Sequence, residues 1–381
     1  MVTITDVAKL AGVSPVTVSR VVNDSDYVSK ATREKVEHAI EELGYVPHFM
    51  ARGLRLNRTF TLALVLPDIT NVFWTTVARG AEDAAMKNNF SILFYNVDED
   101  VKKQDRVVDI VLSQQVDGVM IAPHDSDIKH LAKLQHNRVP TVILDRILDE
   151  SQLEHKFDFV RGDSISGAYQ LTRHLVRLGH KRIAMVSGNL HASTARDRVL
   201  GYRMALQDQA IPFDEDLIVY GEFKASAGAA MTHQLLDRGL TFTSIFAANN
   251  MIGMGVVREL LRRNIRIPED MSIVFYDDYA TDSDYFPFFT VITQQAYEIG
   301  YAAAEMLFSR MVNLDMPSRT QILPSTLIVR YSCGAQIKDG KSPLSLPVLA
   351  PSEFHQTTSR VKPIEDFSSD AGESSAKESN Q

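Results

Sequence analysis

The sequence predicts a small all-α helix-turn-helix unit followed by an α/β region built as two doubly wound parallel-sheet subdomains. Three observations predict it. In the first 45 residues, apolar positions recur at spacings of three and four between capping and stopping residues, the period of short amphipathic helices. From Thr61 onward, apolar runs of four to six residues alternate with helical stretches, and strands this apolar belong to parallel sheets covered by helices on both faces. The chain of 381 residues also exceeds what one hydrophobic core serves, and its 45% apolar content is enough to fill several.

Thr5 or Asp6 caps a first helix through Val7, Ala8, Leu10 and Ala11, and Gly12 stops it. Ser14 caps a second helix whose first position is Pro15, where the missing N–H costs nothing. Val18, Val21 and Val22 face inward, which leaves Val16, Thr17, Ser19 and Arg20 outward. A third helix runs from the Ser29 cap through Val36, Ala39, Ile40 and Leu43 to Gly44. Two short helices joined by a glycine turn and backed by a third describe a helix-turn-helix reader of double-stranded DNA, with a small helical cap on a larger domain as the alternative that periodicity alone leaves open. Net charge over the whole chain on its own argues against a nucleic-acid partner, but the acidity lies outside this first segment. The whole chain carries −8, yet residues 1–58 hold 8 Lys and Arg against 7 Asp and Glu. The stretch YVPHFMARGLRLNR that follows Gly44 is marginal as an isolated helix and is expected to order only against a partner.

The run DVAKLAGVSPVTVSRVVN, followed by VSKATREKVEHAIEELGYVPHFMARGL, resembles the lactose-repressor/galactose-repressor family of bacterial transcription regulators. The resemblance implies a DNA-binding domain over 1–46 and a hinge helix over 47–58. It places Pro15, Val16 and Arg20 at base-reading positions in the major groove of a pseudo-palindromic operator. Arg20 suits a guanine, whereas Pro15 and Val16 offer only apolar contact. Thr17 and Ser19 suit phosphates, and Thr5, Ser14 and Asn23 join the DNA-contacting set. In the hinge, Leu54 matches the leucine that wedges into the central base step, Ala51 the small residue facing the dimer mate, and Arg55 a basic neighbour. His48 stands where the family commonly has asparagine. A homodimer is implied.

In the remainder, LALVL, SILFYN, GVMIA, TVILD, RIAMVSG, SIFAAN and SIVFYDD read as buried strands. They divide into subdomains of about 61–161 plus 293–320 and 163–290 plus 322–333, within an effector and dimerisation domain of 59–338. Several runs end in a polar residue, and open parallel sheets bind ligands beyond the carboxyl ends of their strands. This region resembles the ribose-type periplasmic sugar-binding proteins, which implies a type I periplasmic-binding-protein fold. Through NVFW, LDR, STARDR, AANN, FYDD and ITQQAYEIG the resemblance selects Asn71, Phe73, Trp74, Asp145, Arg146, Arg196, Asn249, Asp277 and Gln294 as the effector site. Aromatic plates cover the apolar faces of a pyranose, and planar charged groups serve adjacent hydroxyls, so a small sugar is the expected effector. Asp145, Asp277, Arg146 and Arg196 sum to zero charge and favour a neutral one. Phe275 replaces the family's usual glycine, either reshaping the pocket or packing beneath it. A purine or a partner protein is the alternative effector; a transporter's solute-binding protein is a further rival.

Other classes find no support. No apolar run reaches the roughly 18 residues of a membrane span, and no export signal opens the chain, so a cytoplasmic address is expected. The single Cys333 allows no internal disulfide framework. GxSxG, HExxH and nucleotide fingerprints are lacking, and GAQIKDGKS has the wrong spacing for a phosphate loop. Neither enzymatic activity, cofactor nor metal is expected. Residues 339–381, rich in Ser, Pro and Glu, are expected to be disordered, and they lack the leucine heptad of a tetramer.

Overall fold

A computed structural model describes residues 2–22, 27–45, 58–124, 129–148, 157–279 and 288–335. Asn23, the hinge residues Ala51, Leu54 and Arg55, and the 339–381 tail lie outside these described residues.

Helices α1 (Ile4–Ala11), α2 (Pro15–Val22) and α3 (Lys30–Leu43) form the amino-terminal unit. The first begins earlier than expected. Its cap is Thr3, not Thr5 or Asp6: Thr3 Oγ1 accepts from Asp6 N at 3.3 Å, and the Asp6 carboxylate accepts from Thr3 N at 2.8 Å. Asp6 thus closes a reciprocal capping box from the third helical position. Ser14 and Ser29 cap as expected, accepting from Thr17 N at 3.2 Å and Thr32 N at 3.3 Å. Gly12 and Gly44 end α1 and α3 with left-handed φ of 66° and 58°. Val7, Ala8, Val18, Val21, Val36, Ala39 and Tyr45 make the core, with Val22 half-buried at its edge. On α2, Val16 is 61% exposed, and Pro15 and Arg20 are exposed beside it.

Among the described residues the remainder forms two six-stranded sheets. The first lobe contains β1 (Thr61–Leu66), β2 (Ser91–Asn96), β3 (Gly118–Ile121), β4 (Thr141–Leu144) and β5 (Asp158–Gly162), with helices α4 (Val72–Lys87), α5 (Val101–Ser113) and α6 (Lys129–His136) between them. The second contains β6 (Ile183–Gly188), β7 (Ile218–Gly221), β8 (Ser244–Ala247), β9 (Ser272–Tyr276) and β10 (Thr290–Thr293), with α7 (Ser164–Arg177), α8 (Ser193–Asp208), α9 (Ala225–Asp237) and α10 (Asn250–Arg262). The chain then returns. Helix α11 (Ala296–Val312) packs on α4, β11 (Thr320–Leu323) pairs in parallel with β5, and β12 (Thr326–Ile328) pairs antiparallel with β10. The sheet orders are β11-β5-β4-β3-β1-β2 and β12-β10-β9-β8-β6-β7.

Three expectations are corrected here. The first lobe takes residues through Leu323 rather than 320, and the second keeps β10 to Thr293, because pairing partners and not apolar runs set the crossings. β5 and β7 were absent from the apolar runs: β5 carries the charged Asp158 and Arg161, and β7 is only four residues long. SILFYN is not buried on both faces. As β2 it is an edge strand, and Leu93 and Phe94 are 36% and 47% exposed.

Two contacts hold the returning segment. Gly80 and Gly300 let α4 and α11 touch backbone to backbone; a Cβ on Gly300 would lie 1.8 Å from the Val77 carbonyl oxygen. The fully buried Asp158 carboxylate accepts from Arg310 of α11 at 2.5 Å and from Arg319, just before β11, at 2.7 Å. Among the described residues no helix is long and apolar enough to cross a membrane. Because a buried charge stripped of its partner is strongly destabilising, Asp158→Ala is expected to lower stability in urea denaturation by about 3–5 kcal/mol. A loss below about 1 kcal/mol would place this triad with exposed ion pairs, which hold little.

Candidate functional site

Both sheets point the carboxyl ends of their parallel strands at one cleft of about 290 Å³. After β1, Asn71 caps α4 by accepting from Phe73 N at 3.0 Å, and this turn brings Phe73 and Trp74 to the cleft wall. Their rings meet edge to face, with centroids 4.9 Å apart. Asp98 and Glu99 follow β2, and Asp145 and Arg146 follow β4. The second lobe supplies Thr194 and Arg198 from the first turns of α8, Phe223 and Lys224 after β7, Asn249 after β8 and Asp277 after β9. Asn249 caps α10 by accepting from Ile252 N at 2.8 Å.

Asp98, Glu99, Asp145 and Asp277 all have left-handed backbones, with φ of 53°, 56°, 59° and 67°. Such geometry costs a non-glycine residue roughly 1–2 kcal/mol and clusters where side chains must be aimed.

The charged groups are tightly held. Arg146 donates through Nη1 to the Pro123 carbonyl at 2.7 Å and to the His124 carbonyl, and through Nη2 to Glu99 at 2.7 Å. Burial raises the Glu99 carboxyl, but Arg146 and the hydrogen bond from His124 outweigh it and hold the group at about 2. Arg198 lies over the Tyr276 ring at 3.8 Å, donates to the Ala248 carbonyl at 2.5 Å and stands 3.8 Å from Asp277. Asp277 accepts from Gln294 Nε2 at 2.8 Å. Burial pushes Asp145 up to about 6 and raises Asp277 as well, with Arg198 opposing in both. Four buried atoms at or behind the cleft, Asp145 Oδ1, Arg146 Nε, Arg198 Nε and Gln294 Oε1, have no hydrogen-bond partner among the described residues.

The lobes also bond directly across the cleft. Asn250 Nδ2 donates to Asn71 Oδ1 at 3.0 Å, Ile147 N to Ser193 Oγ at 2.8 Å, and Arg161 Nη1 to Asp197 Oδ2 at 2.8 Å.

Of the nine residues selected from sequence, Asn71, Phe73, Trp74, Asp145, Arg146, Asn249 and Asp277 line the cleft, and Gln294 supports Asp277 from behind. Arg196 does not reach it. That side chain is exposed and donates to the carbonyls of Leu190 and His191 at 2.6 and 3.0 Å. Two positions along a helix turn a side chain by about 200°, so Arg198 of the same STARDR motif occupies the cleft instead. Phe223 was missed, although its ring lies directly over the end of β6: a Cβ on Gly188 would sit 2.0 Å from it. Phe275 does not reshape the cleft. It is fully buried beneath it, stacked on Phe289 at 4.4 Å. Among the described residues no cluster of His, Cys, Asp and Glu is arranged to hold a metal ion.

Comparison with known proteins agrees with both halves of this architecture. Residues 3–48 match the family described as bacterial regulatory proteins, lacI family. Residues 59–331 match periplasmic binding proteins and sugar binding domain of LacI family. The HTH-type transcriptional repressor PurR of Vibrio atlanticus is 32% identical over 321 residues, which are 84% of this chain and 95% of that protein. The ribose operon repressor of Escherichia coli K12 is 32% identical over 333 residues, 87% of this chain and 100% of that protein. The structure is similar to that of the lac repressor dimer bound to operator and the anti-inducer ONPF, with a TM-score of 0.75 and 28% identity across 88% of this chain and 99% of that one.

The elevated Asp145 carboxyl has a consequence for stability. Between its ordinary value of 3.8 and about 6, the folded chain holds a proton that the unfolded chain has released. Stability therefore falls as pH rises through that window and stays reduced above it. Asp145→Asn cannot ionise, so urea denaturation near neutral pH is expected to find it more stable than the parent by about 1–3 kcal/mol. An equal or less stable variant would contradict the burial of an underpaired charge.

Proposed function

The chain belongs to the lacI family of bacterial regulatory proteins, and on that premise we propose that it is a transcriptional repressor whose hold on operator DNA is set by a small sugar bound between its lobes. The observation that carries the sugar reading is the pairing of aromatic walls, Phe73, Trp74 and Phe223, with the underpaired polar groups of Asp145, Arg146 and Arg198 in one cleft. A sugar ring has apolar faces for the former. Its hydroxyls both donate and accept, as carboxylates and guanidinium groups together require. The match to a sugar-binding domain and the likeness to a ribose operon repressor support the same class. Likeness to PurR favours a purine as the second reading. Against it, Phe73 and Trp74 meet at 75° and do not offer a pair of parallel plates for a flat base.

On the DNA side, α2 enters the major groove. Arg20 reads a guanine, Pro15 and Val16 make apolar base contacts, and Thr5, Ser14, Thr17, Ser19 and Asn23 hold the backbone. Two copies occupy the two halves of a pseudo-palindrome, with Leu54 wedged at the centre and Ala51 and Arg55 beside it. The solved dimer of the lac repressor on operator supports this arrangement. Exposed Leu93, Phe94 and Ile69 at one edge of the first lobe suit a second copy.

Control follows from linkage. The effector touches both lobes and so favours one relative placement of them; if that placement differs between free and operator-bound protein, the effector shifts operator affinity, typically by about 5–150-fold.

Isothermal titration of the full chain against pentoses, hexoses, disaccharides and purines is expected to yield a sugar. A purine alone would replace the reading. With that sugar, Arg198→Ala is expected to weaken binding about 100-fold, since it strips partners from buried polar groups, whereas Arg196→Ala should bind as the parent does. The reverse order would restore Arg196 to the site. In operator titrations, Arg20→Ala should lose about 1–3 kcal/mol and relax preference at one base pair. Leu54→Ala should weaken operator binding with sugar affinity retained, and unchanged operator binding would exclude the wedge.

A further inference from the structure

We propose that the regulator answers to the free, unphosphorylated form of its sugar, and that Asp68 and Asp98 at the cleft set this choice. The proposal rests on the sugar reading above and narrows it. Among the described residues five carboxylates line the cleft, Asp68, Asp98, Glu99, Asp145 and Asp277, against three cations, Arg146, Arg198 and Lys224.

Each of those cations already faces a carboxylate. Arg146 pairs with Glu99 at 2.7 Å, Lys224 with Glu222 at 2.9 Å, and Arg198 stands 3.8 Å from Asp277. The two arginines are further engaged by backbone carbonyls and, for Arg198, by the face of Tyr276. Among the described residues of the lining no cation is left over to meet the charge of a phosphate. Beyond the lining, Glu222 pairs with Lys224 and Lys103 with Asp98. Including these two leaves the same excess of two negative charges.

The acidic excess is built in. Asp68 Oδ1 accepts from Thr70 N and Oγ1 at 2.9 and 2.7 Å, which fixes the carboxylate at the cleft without neutralising it. Asp98 and Glu99 are consecutive left-handed residues, a conformation that disfavours both and yet places two carboxylates there. The amino-terminal ends of α8 and α9, bordered by Thr194 and Lys224, lack a side-chain cap. Each offers roughly half a positive charge through its free N–H groups. That suits a sugar oxygen, and the two together remain smaller than the negative excess.

A phosphate ester would bring up to two more negative charges into this field, and uncompensated like charges disfavour binding. The signal is then a sugar before its phosphorylation. Reactions that release or import the sugar unmodified, such as glycoside hydrolysis, would supply it, and phosphoryl transfer to any hydroxyl held in the cleft would remove it.

Titration of the full chain with D-ribose, D-glucose, D-galactose and a set of disaccharides, each beside its terminal phosphate ester, tests this. The ester of the sugar that binds is expected to bind about 100-fold more weakly or worse, with the gap narrowing as ionic strength rises. Asp68→Asn combined with Asp98→Asn should narrow it further at low salt. An ester within about tenfold of its parent sugar, or a gap indifferent to salt, overturns the proposal and leaves the sugar reading standing. Silence from every free sugar overturns both. Should the double variant fail to fold, the ionic-strength series on the unaltered chain decides alone.

Discussion

Arg198 is the fixed point of the effector half. It is buried 3.8 Å from the Asp277 carboxylate and within electrostatic reach of the buried Asp145, with its guanidinium over Tyr276 and one donor on the Ala248 carbonyl. One guanidinium does not neutralise two carboxylates, and burial drives both acids above their ordinary range. A fold that keeps such groups dry and underpaired forgoes stability that better-paired or apolar residues would give. The residual hydrogen-bonding capacity faces a cleft shared by two lobes. Affinity for a polar ligand and a preference for one lobe arrangement therefore come from the same few atoms.

The chain's route makes that sharing possible. Because it crosses between sheets after β5, after β10 and after β11, neither lobe is a separable unit, and three connections join the lobes beside the cleft. Asp158 fastens the return to the first lobe by holding Arg310 and Arg319 at once. Opposite it, the Asn71–Asn250, Ile147–Ser193 and Arg161–Asp197 bonds each sit beside a cleft residue. A ligand that reorients Asn71, Arg146 or Arg198 bears directly on whether those bonds persist.

Much of this was legible from the sequence, for identifiable reasons. Caps and stops act locally, so Ser14, Ser29, Gly12 and Gly44 announced the helices; Thr3 did not, because its role depends on Asp6 reaching back to it. Parallel strands announce themselves when both faces are apolar. β5 escaped because its burial depends on charge pairs with distant partners, Asp158 with α11 and Arg161 with α8. β2 reads as apolar as its neighbours, and only sheet order reveals it as an edge. In the site, seven of the nine residues selected by motif resemblance line the cleft and Gln294 stands behind it on Asp277, whereas Arg196 points elsewhere. STARDR contains two arginines on opposite sides of a helix, and which side faces the ligand is decided by packing that the motif does not encode. Phe223 needed β7 to be recognised first. The mouth carboxylates Asp68 and Asp98 carried no motif at all, since their position follows from two loops meeting in space.

Coupling between the cleft and the amino-terminal DNA reader is reciprocal, so each ligand must change the affinity of the other by the same factor. Effector affinity should be measured by titration on the full chain twice, once free and once saturated with an operator duplex, alongside operator affinity with and without effector. The two factors must be equal, and a value of about 5–150-fold is expected. Identical effector affinity in the free and operator-bound protein would show that the cleft and the DNA reader are uncoupled.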